Sequence, residues 1–163
     1  MLGGITLDRS TTSEVYMLTL KRSKDRKVAN MVTPNGKQAK IANTFGLPSG
    51  KAFSCRGETS VCGKICYAGK LEKLFPSVRK SLMHNWDALR DASYATMEDL
   101  LAVMIQEFVS YCNKHRVTNR IFRIHWDGDF FSDEYTLAWR KVIQDNPTIQ
   151  FWVYTRLSHR LSC

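Results

Sequence analysis

The sequence predicts an α/β domain of parallel βαβ units, with a loop-rich N-terminal region that carries a group of cysteines. Three observations support this. Ile121-Phe122-Arg123-Ile124-His125-Trp126 is rich in β-branched and aromatic residues, and so is the stretch from Thr148 to Thr155. A helical pattern lies between them, and strand, helix and strand in that order imply a parallel pair with a right-handed crossover. Upstream, Gly46, Pro48, Ser49 and Gly50 break residues 37–54 into short extended pieces.

Taken in order, residues 1–20 alternate weakly at Val15, Met17, Leu18 and Leu20, which predicts a strand. The run from Lys21 to Lys27 is a charged turn or exposed loop. Thr33-Pro34-Asn35-Gly36 is a turn, because proline fixes one dihedral and Asn-Gly tolerates positive φ. Residues 1–36 are expected to form a peripheral extension to a single domain spanning 1–163, incomplete at its C-terminus. A short strand at 51–54 would lead into a cysteine loop at 55–67. Val78, Leu82, Trp86 and Leu89 give residues 77–91 a helical period. A longer helix is expected at 97–115, with Leu100, Leu101, Met104, Phe108, Val109 and Tyr111 on its apolar side and Glu98 and Asp99 at the positive end of its dipole. Asp127-Gly128-Asp129 ends the strand begun at Ile121. Ser132 caps the next helix, with Asp133 and Glu134 in its first turn. That helix runs to about Gln144 and is stopped near Pro147.

At 163 residues the chain is long enough for one domain with a core, and 44% hydrophobic with 24% charged residues is an ordinary globular composition. No run of 18 apolar residues is present, so no membrane span is expected. The first residues lack the basic start, apolar stretch and cleavage site of a signal peptide. A cytoplasmic location is therefore expected, where cysteines serve as ligands or buried thiols rather than disulfides. Residues 1–80 carry 15 Lys and Arg against 5 Asp and Glu, whereas residues 81–163 carry 9 against 10. The basic excess lies in the half that holds the cysteine loop. It suits contact with nucleic acid or a nucleotide, and equally a solvated basic face.

Cys55, Cys62 and Cys66 follow the pattern C-x6-C-x3-C-Y, broken by Gly57 and Gly63, so the chain can wrap them around one centre. Arg56 and Lys64 would favour thiolate over thiol. Three thiolates suit a [4Fe–4S] cluster with one iron left open. Zinc would need a fourth ligand, for which His84, Cys112 and His125 are candidates without finger-like spacing. Cys112 sits beside the apolar stripe of a helix and reads better as a buried thiol. Cys163, at the end of the sequence, is given no role.

His125-Trp126-Asp127-Gly128-Asp129 stands at the carboxyl end of a strand, the edge where parallel α/β sheets bind ligands. Its acids and histidine suit hydrogen bonds to a polar ligand, or magnesium, and Gly128 permits close approach. Phe131 and Asp133 are assigned to packing and helix capping. Tyr154, Thr155 and Arg156 end the second strand and would line the same mouth.

Leu47-Pro48-Ser49-Gly50, the cysteine motif with Tyr67-Ala68, Gly128-Asp129-Phe130-Phe131-Ser132, Trp139, and Phe151-x2-Tyr154-Thr155-Arg156 together resemble the phage gene product 88 family, over roughly residues 40–157. That resemblance implies a phage or mobile-element protein and supplies no reaction. More distantly, a cysteine loop followed by a strand ending in Gly-acid resembles the front half of a radical S-adenosylmethionine enzyme. That likeness implies part of a (β/α) partial barrel, a [4Fe–4S] cluster on Cys55, Cys62 and Cys66, and S-adenosylmethionine contacted by Gly128 and Asp129, with Tyr154 and Arg156 beside it. The superfamily spacing, C-x3-C-x2-C, differs from the one here.

Three functions stay open. The first is a radical S-adenosylmethionine-like enzyme acting on a nucleotide or nucleic acid. The second is a zinc-stabilised nucleic-acid-binding module without catalysis. The third, a magnesium nuclease using His125, Asp127 and Asp129, lacks a further set of acids and bases.

Overall fold

The computed structural model describes residues 19–25, 32–38 and 40–156. The strand expected within residues 1–20, most of the N-terminal extension and Cys163 lie largely or wholly outside these residues. The elements are β1 (Arg22–Ser23), β2 (Thr44–Phe45), α1 (Ser60–Ile65), α2 (Tyr67–Leu74), α3 (Pro76–Leu89), α4 (Tyr94–Lys114), β3 (Ile121–Ile124), α5 (Asp133–Asp145) and β4 (Gln150–Val153).

The strands form one mixed sheet in the order β1-β2-β3-β4. β3 and β4 are parallel in full register, with Ile121 opposite Gln150 and Ile124 opposite Val153. This is the expected βαβ unit, with α5 as its crossover. β2 is also parallel to β3, pairing Thr44 with Arg123. β1 runs antiparallel at the edge. A parallel sheet continuing around part of a (β/α) barrel is therefore not seen among the described residues. The likeness in sequence rests on a cysteine loop and a strand ending in Gly-acid, which do not themselves specify a barrel; the sheet holds one βαβ unit with β2 and an antiparallel β1 beside it.

The core lies between the sheet and the long helices. Phe122 and Ile124 of β3, Phe45 and Leu47 from the β2 strand and its extension, Leu101, Met104, Ile105 and Phe108 of α4, and Tyr135 and Trp139 of α5 are buried in it. Phe122 meets Phe108 edge-on at 5.2 Å between ring centroids. Burying a side chain of this size contributes about 1.5–3 kcal/mol. Cys112 is fully buried in the same core, as expected of a structural thiol.

Polar ties hold β1 in place. Asn85 of α3 is buried; its Oδ1 accepts from the Lys21 N–H at 2.7 Å, and its Nδ2 donates to the Lys21 and Gly46 carbonyls at 3.0 and 2.9 Å. Arg123 pairs with Asp25 at 2.5 Å and lies over the Trp152 ring. The run expected as a charged turn from Lys21 thus contains an edge strand, because Asn85 gives its backbone groups partners.

Other expectations need adjustment. Residues 51–54 form turns rather than a strand. The stretch 55–67 is largely helical, since Thr59 caps α1 and Cys66 both ends α1 and caps α2. The long helix starts at Tyr94 under a Ser93 cap, which places Glu98 and Asp99 a turn inside it rather than at its dipole end. Ser132 caps α5 as expected. The turn at Thr33–Gly36 is also present, with the Gly36 N–H donating to the Thr33 carbonyl at 2.9 Å and φ of 70° at Gly36.

Candidate functional site

β2, β3 and β4 run the same way, so their carboxyl ends meet on one edge. Beyond the ladder the chain stays paired there: the Trp126 N–H donates to the Phe45 carbonyl at 2.9 Å, and the Leu47 N–H to the Asp127 carbonyl at 3.0 Å. Gly46 makes that approach possible, since a Cβ there would stand 2.6 Å from Trp126 Nε1. The chain then folds into a compact turn. Ser54 Oγ donates to the Pro48 carbonyl at 2.7 Å and accepts from the Asp129 N–H at 3.2 Å, while the Cys55 N–H donates to the Gly50 carbonyl at 3.2 Å. This turn, leaving β2, carries Cys55 to the edge in place of the strand expected at 51–54.

Cys62 lies within α1, where its N–H donates to Thr59 Oγ1 at 3.2 Å. Cys66 stands at the junction of α1 and α2, and its Sγ accepts from the Gly69 N–H at 3.3 Å. Glycine matters here for space rather than for turning. A Cβ on Gly63 would stand 2.1 Å from Glu58 Oε1, and one on Gly69 would stand 3.0 Å from Ser49 Oγ. Cys55, Cys62 and Cys66 are each half-buried.

All three thiols line a cavity of about 510 Å³ that is also lined by Arg123, His125, Asp127, Gly128, Asp129, Tyr154, Thr155 and Arg156. Cys55, Cys62 and Cys66, singled out as ligands, and Gly128, Asp129, Tyr154 and Arg156, singled out as cofactor contacts, therefore border one space. His84 and Cys112, considered as zinc ligands, do not. His84 bonds the Thr19 carbonyl at 2.9 Å, and Cys112 is in the core. A second cavity of about 270 Å³ shares the three cysteines and adds Lys64, Lys70, Glu72, Lys73 and Arg79. Among the described residues, no set of three His, Cys, Asp or Glu side chains is arranged to hold a metal ion.

The two acids of the strand end differ in their surroundings. Asp129 is buried and fully engaged: Oδ1 accepts from the Phe130 N–H at 2.8 Å and the Thr155 hydroxyl at 2.6 Å, and Oδ2 accepts from the Arg156 N–H at 3.0 Å. It ties the end of β3 to the end of β4. Asp127 is buried too; its Oδ1 accepts from the Gly128 N–H at 2.8 Å, and its carboxyl faces that of Glu72, a contact that requires a shared proton. Burial pushes the Asp127 carboxyl well above the usual range, and the neighbouring Glu72 carboxylate adds to this. Glu72, which nothing in the sequence singled out, is itself buried on α2 and accepts from the Ser49 N–H at 2.8 Å and Ser49 Oγ at 2.5 Å.

His125 ends β3 in a left-handed conformation, φ 57°, and is buried. One ring nitrogen, Nε2, is 2.8 Å from the Tyr135 hydroxyl; the other, Nδ1, has no partner. Burial, with the positive charge of Arg123, lowers its pKa to about 3, so the ring is neutral. Burial pushes the Cys55 thiol up to about 11, and Asp127 and Asp129 oppose its ionisation further. The expected thiolate-favouring effect of Arg56 and Lys64 does not prevail at Cys55. A cationic centre beside the thiol would invert that balance, since it favours thiolate and carboxylate alike.

Comparison with known proteins supports the resemblance to the gene product 88 family and adds nothing to the radical S-adenosylmethionine likeness. The family model "Gene product 88" matches residues 18–162. The chain is 53% identical over 144 residues to the Gene 88 protein of Mycobacterium phage L5, and 51% identical over 144 residues to that of Mycobacterium phage D29. Each match covers 86% of this chain and 60% of the relative, so the chain spans about three fifths of the length of these proteins. No solved structure matches the chain. Among the described residues, no helix is long and apolar enough to cross a membrane. The chain belongs to the gene product 88 family of phage proteins.

Proposed function

We propose that Cys55, Cys62 and Cys66 hold a [4Fe–4S] cluster, and that the cavity beside them takes a small polar cofactor, S-adenosylmethionine, for chemistry on a nucleotide or nucleic acid. The observation that carries this reading is the shared cavity: three half-buried thiols and the carboxyl ends of β3 and β4 border the same space. The donors suit such a group. Cys66 already receives a backbone N–H, as cluster sulfurs do. The three thiols border one cavity without being drawn together on a single ion; three thiolates suit a cluster with one iron open, whereas zinc needs a fourth ligand.

When bound, a cluster on three thiolates supplies an electron and an iron open to an outside ligand. The chain's own residues do the rest. A cofactor ammonium would favour the ionised form of Asp127, and the two would then make a charge-assisted bond. This role falls to Asp127 rather than Asp129, whose oxygens already accept hydrogen bonds from the ends of β3 and β4. Neutral His125 orients polar groups through Nδ1 without adding charge. Tyr154 and Arg156 stand at the mouth, where they contact substrate.

Anaerobic purification and reconstitution test the reading. The expected product is brown, with about four iron and four sulfide per chain. Stoichiometric zinc with no iron uptake would overturn it. Calorimetry with S-adenosylmethionine on the reconstituted protein tests the second half, and Asp127→Asn should weaken binding with the iron content unchanged. No binding to the parent protein would remove the enzyme reading and leave the cluster reading standing.

A further inference from the structure

The helices that carry Cys62 and Cys66 bury almost nothing. α1 contains no buried residue, and α2 contains only Glu72. Helices on a domain surface normally turn their apolar residues inward, yet here these residues face solvent. Val61 is 65% exposed, Ile65 66%, Tyr67 69%, Leu74 69% and Phe75 51%. Large apolar side chains exposed within a stretch of this length mark a contact surface.

Lysines run through the same surface. In α1, Val61, Lys64 and Ile65 fall at i, i+3 and i+4, and in α2, Tyr67, Lys70 and Leu74 fall at i, i+3 and i+7, so each set shares one helical face. Lys64, Lys70 and Lys73 all border the smaller cavity on the three cysteines. Among the described residues, none of these lysines pairs with a carboxylate. The local acids are occupied elsewhere: Glu58 Oε2 accepts from the Lys51 N–H, and Glu72 is held by Ser49 and Arg79. The result is a surface of unpaired cations interleaved with exposed rings, leading to the cysteine cavity.

We infer that this α1–α2 face binds single-stranded nucleic acid, with phosphates on Lys64, Lys70 and Lys73 and bases against Tyr67 and Phe75. A duplex hides its base faces and offers only phosphates. A single strand offers both, which matches a surface of rings and lysines. A protein partner would need the apolar residues but would gain little from three uncompensated lysines. The inference goes beyond the cluster reading and does not depend on which metal the cysteines take.

The test is fluorescence anisotropy of labelled oligothymidylate and of a duplex of equal length, over a range of salt. Iron and zinc content are measured on the same samples, so that loss of the metal centre is distinguished from loss of strand binding. The parent protein should prefer the single strand. The triple variant Lys64→Glu, Lys70→Glu, Lys73→Glu should weaken binding roughly tenfold or more. It should also lower the salt slope by about 2, at about 0.7 for each phosphate no longer neutralised. Tyr67→Ala should weaken the single strand by roughly 5- to 100-fold and leave the duplex unchanged, with unaltered far-ultraviolet circular dichroism. Lys37→Glu with Lys114→Glu, both exposed and outside this surface, serves as the charge control. Equal weakening by the control, an unaltered Tyr67→Ala affinity, or no binding of single strand at low salt would each overturn the proposal.

Discussion

Replacing Gly128 with alanine should be among the most damaging single changes near the cavity. Two separate effects act there. The residue has φ of 84°, a left-handed backbone that costs a non-glycine residue about 1–2 kcal/mol. The added Cβ would also stand 2.5 Å from Ser54 Oγ and 2.8 Å from both Cβ and the carbonyl oxygen of Leu47. The Ser54 hydroxyl can rotate, but Leu47 is fully buried and its backbone is held by the Asp127 carbonyl. Overpacking against such a neighbour costs about 1–3 kcal/mol more. The expected loss is therefore about 2–5 kcal/mol, or a fall in Tm of roughly 5–15 °C for a domain of this size. Gly36→Ala provides the matched control: φ is 70°, and its Cβ would meet nothing within 4 Å. It should lose only the backbone share, about 1–2 kcal/mol. Urea denaturation of both variants, followed by tryptophan fluorescence, separates clash from strain. Equal losses would refute the close packing of Gly128 against the Leu47–Ser54 turn.

Three further outcomes are expected. Cys62→Ser should abolish metal uptake and reduce amide protection across residues 60–74, because metal binding contributes directly to the folding of a segment with so little buried apolar surface; unchanged metal content would contradict this. The neutral, buried His125, with a pKa lowered to about 3, binds fewer protons folded than unfolded, so its contribution is full above about pH 6.5 and is lost as pH falls toward 3. Urea unfolding of metal-free protein should thus show a decline over that range that is shallower in His125→Asn, a residue that tolerates the left-handed backbone; parallel curves would rule it out. Asp129→Ala strands the Phe130 and Arg156 N–H groups and the Thr155 hydroxyl, at roughly 3 kcal/mol, and should raise amide exchange at Arg156, with Asp129→Asn intermediate.

The βαβ unit and the gathering of the candidate residues at one edge of the sheet were legible in the sequence for identifiable reasons. The Ile121–Trp126 and Thr148–Thr155 runs are β-branched and aromatic, and the Ser132 cap and Pro147 bound the helix between them, so local chemistry and tertiary packing agree. Once those two strands are parallel, topology alone carries Asp129 and Arg156 to a common edge. The cysteine segment was less legible. Its helices bury no apolar face, so periodicity gave no signal, and Cys66 acts as a cap, a role usually read from Ser, Thr, Asp or Asn. The division of labour between Asp127 and Asp129 was also invisible, because it depends on where the ends of β4 and α2 lie. Nothing in the sequence marks Glu72, and only the fold shows it buried against Ser49.

The scarcity of buried side chains in α1 and α2 also bears on the order in which the molecule assembles. The core of β3, α4, α5 and β4 can form without these two helices, since almost none of its buried residues belong to them. Their local opening therefore requires far less free energy than global unfolding. The chief restraint is Glu72, which would have to leave Ser49 and Arg79 together. Residues 60–74 are thus the segment expected to open before the rest of the scaffold. If the cysteines hold the proposed cluster, its insertion would need only this local opening, with the rest of the domain staying folded.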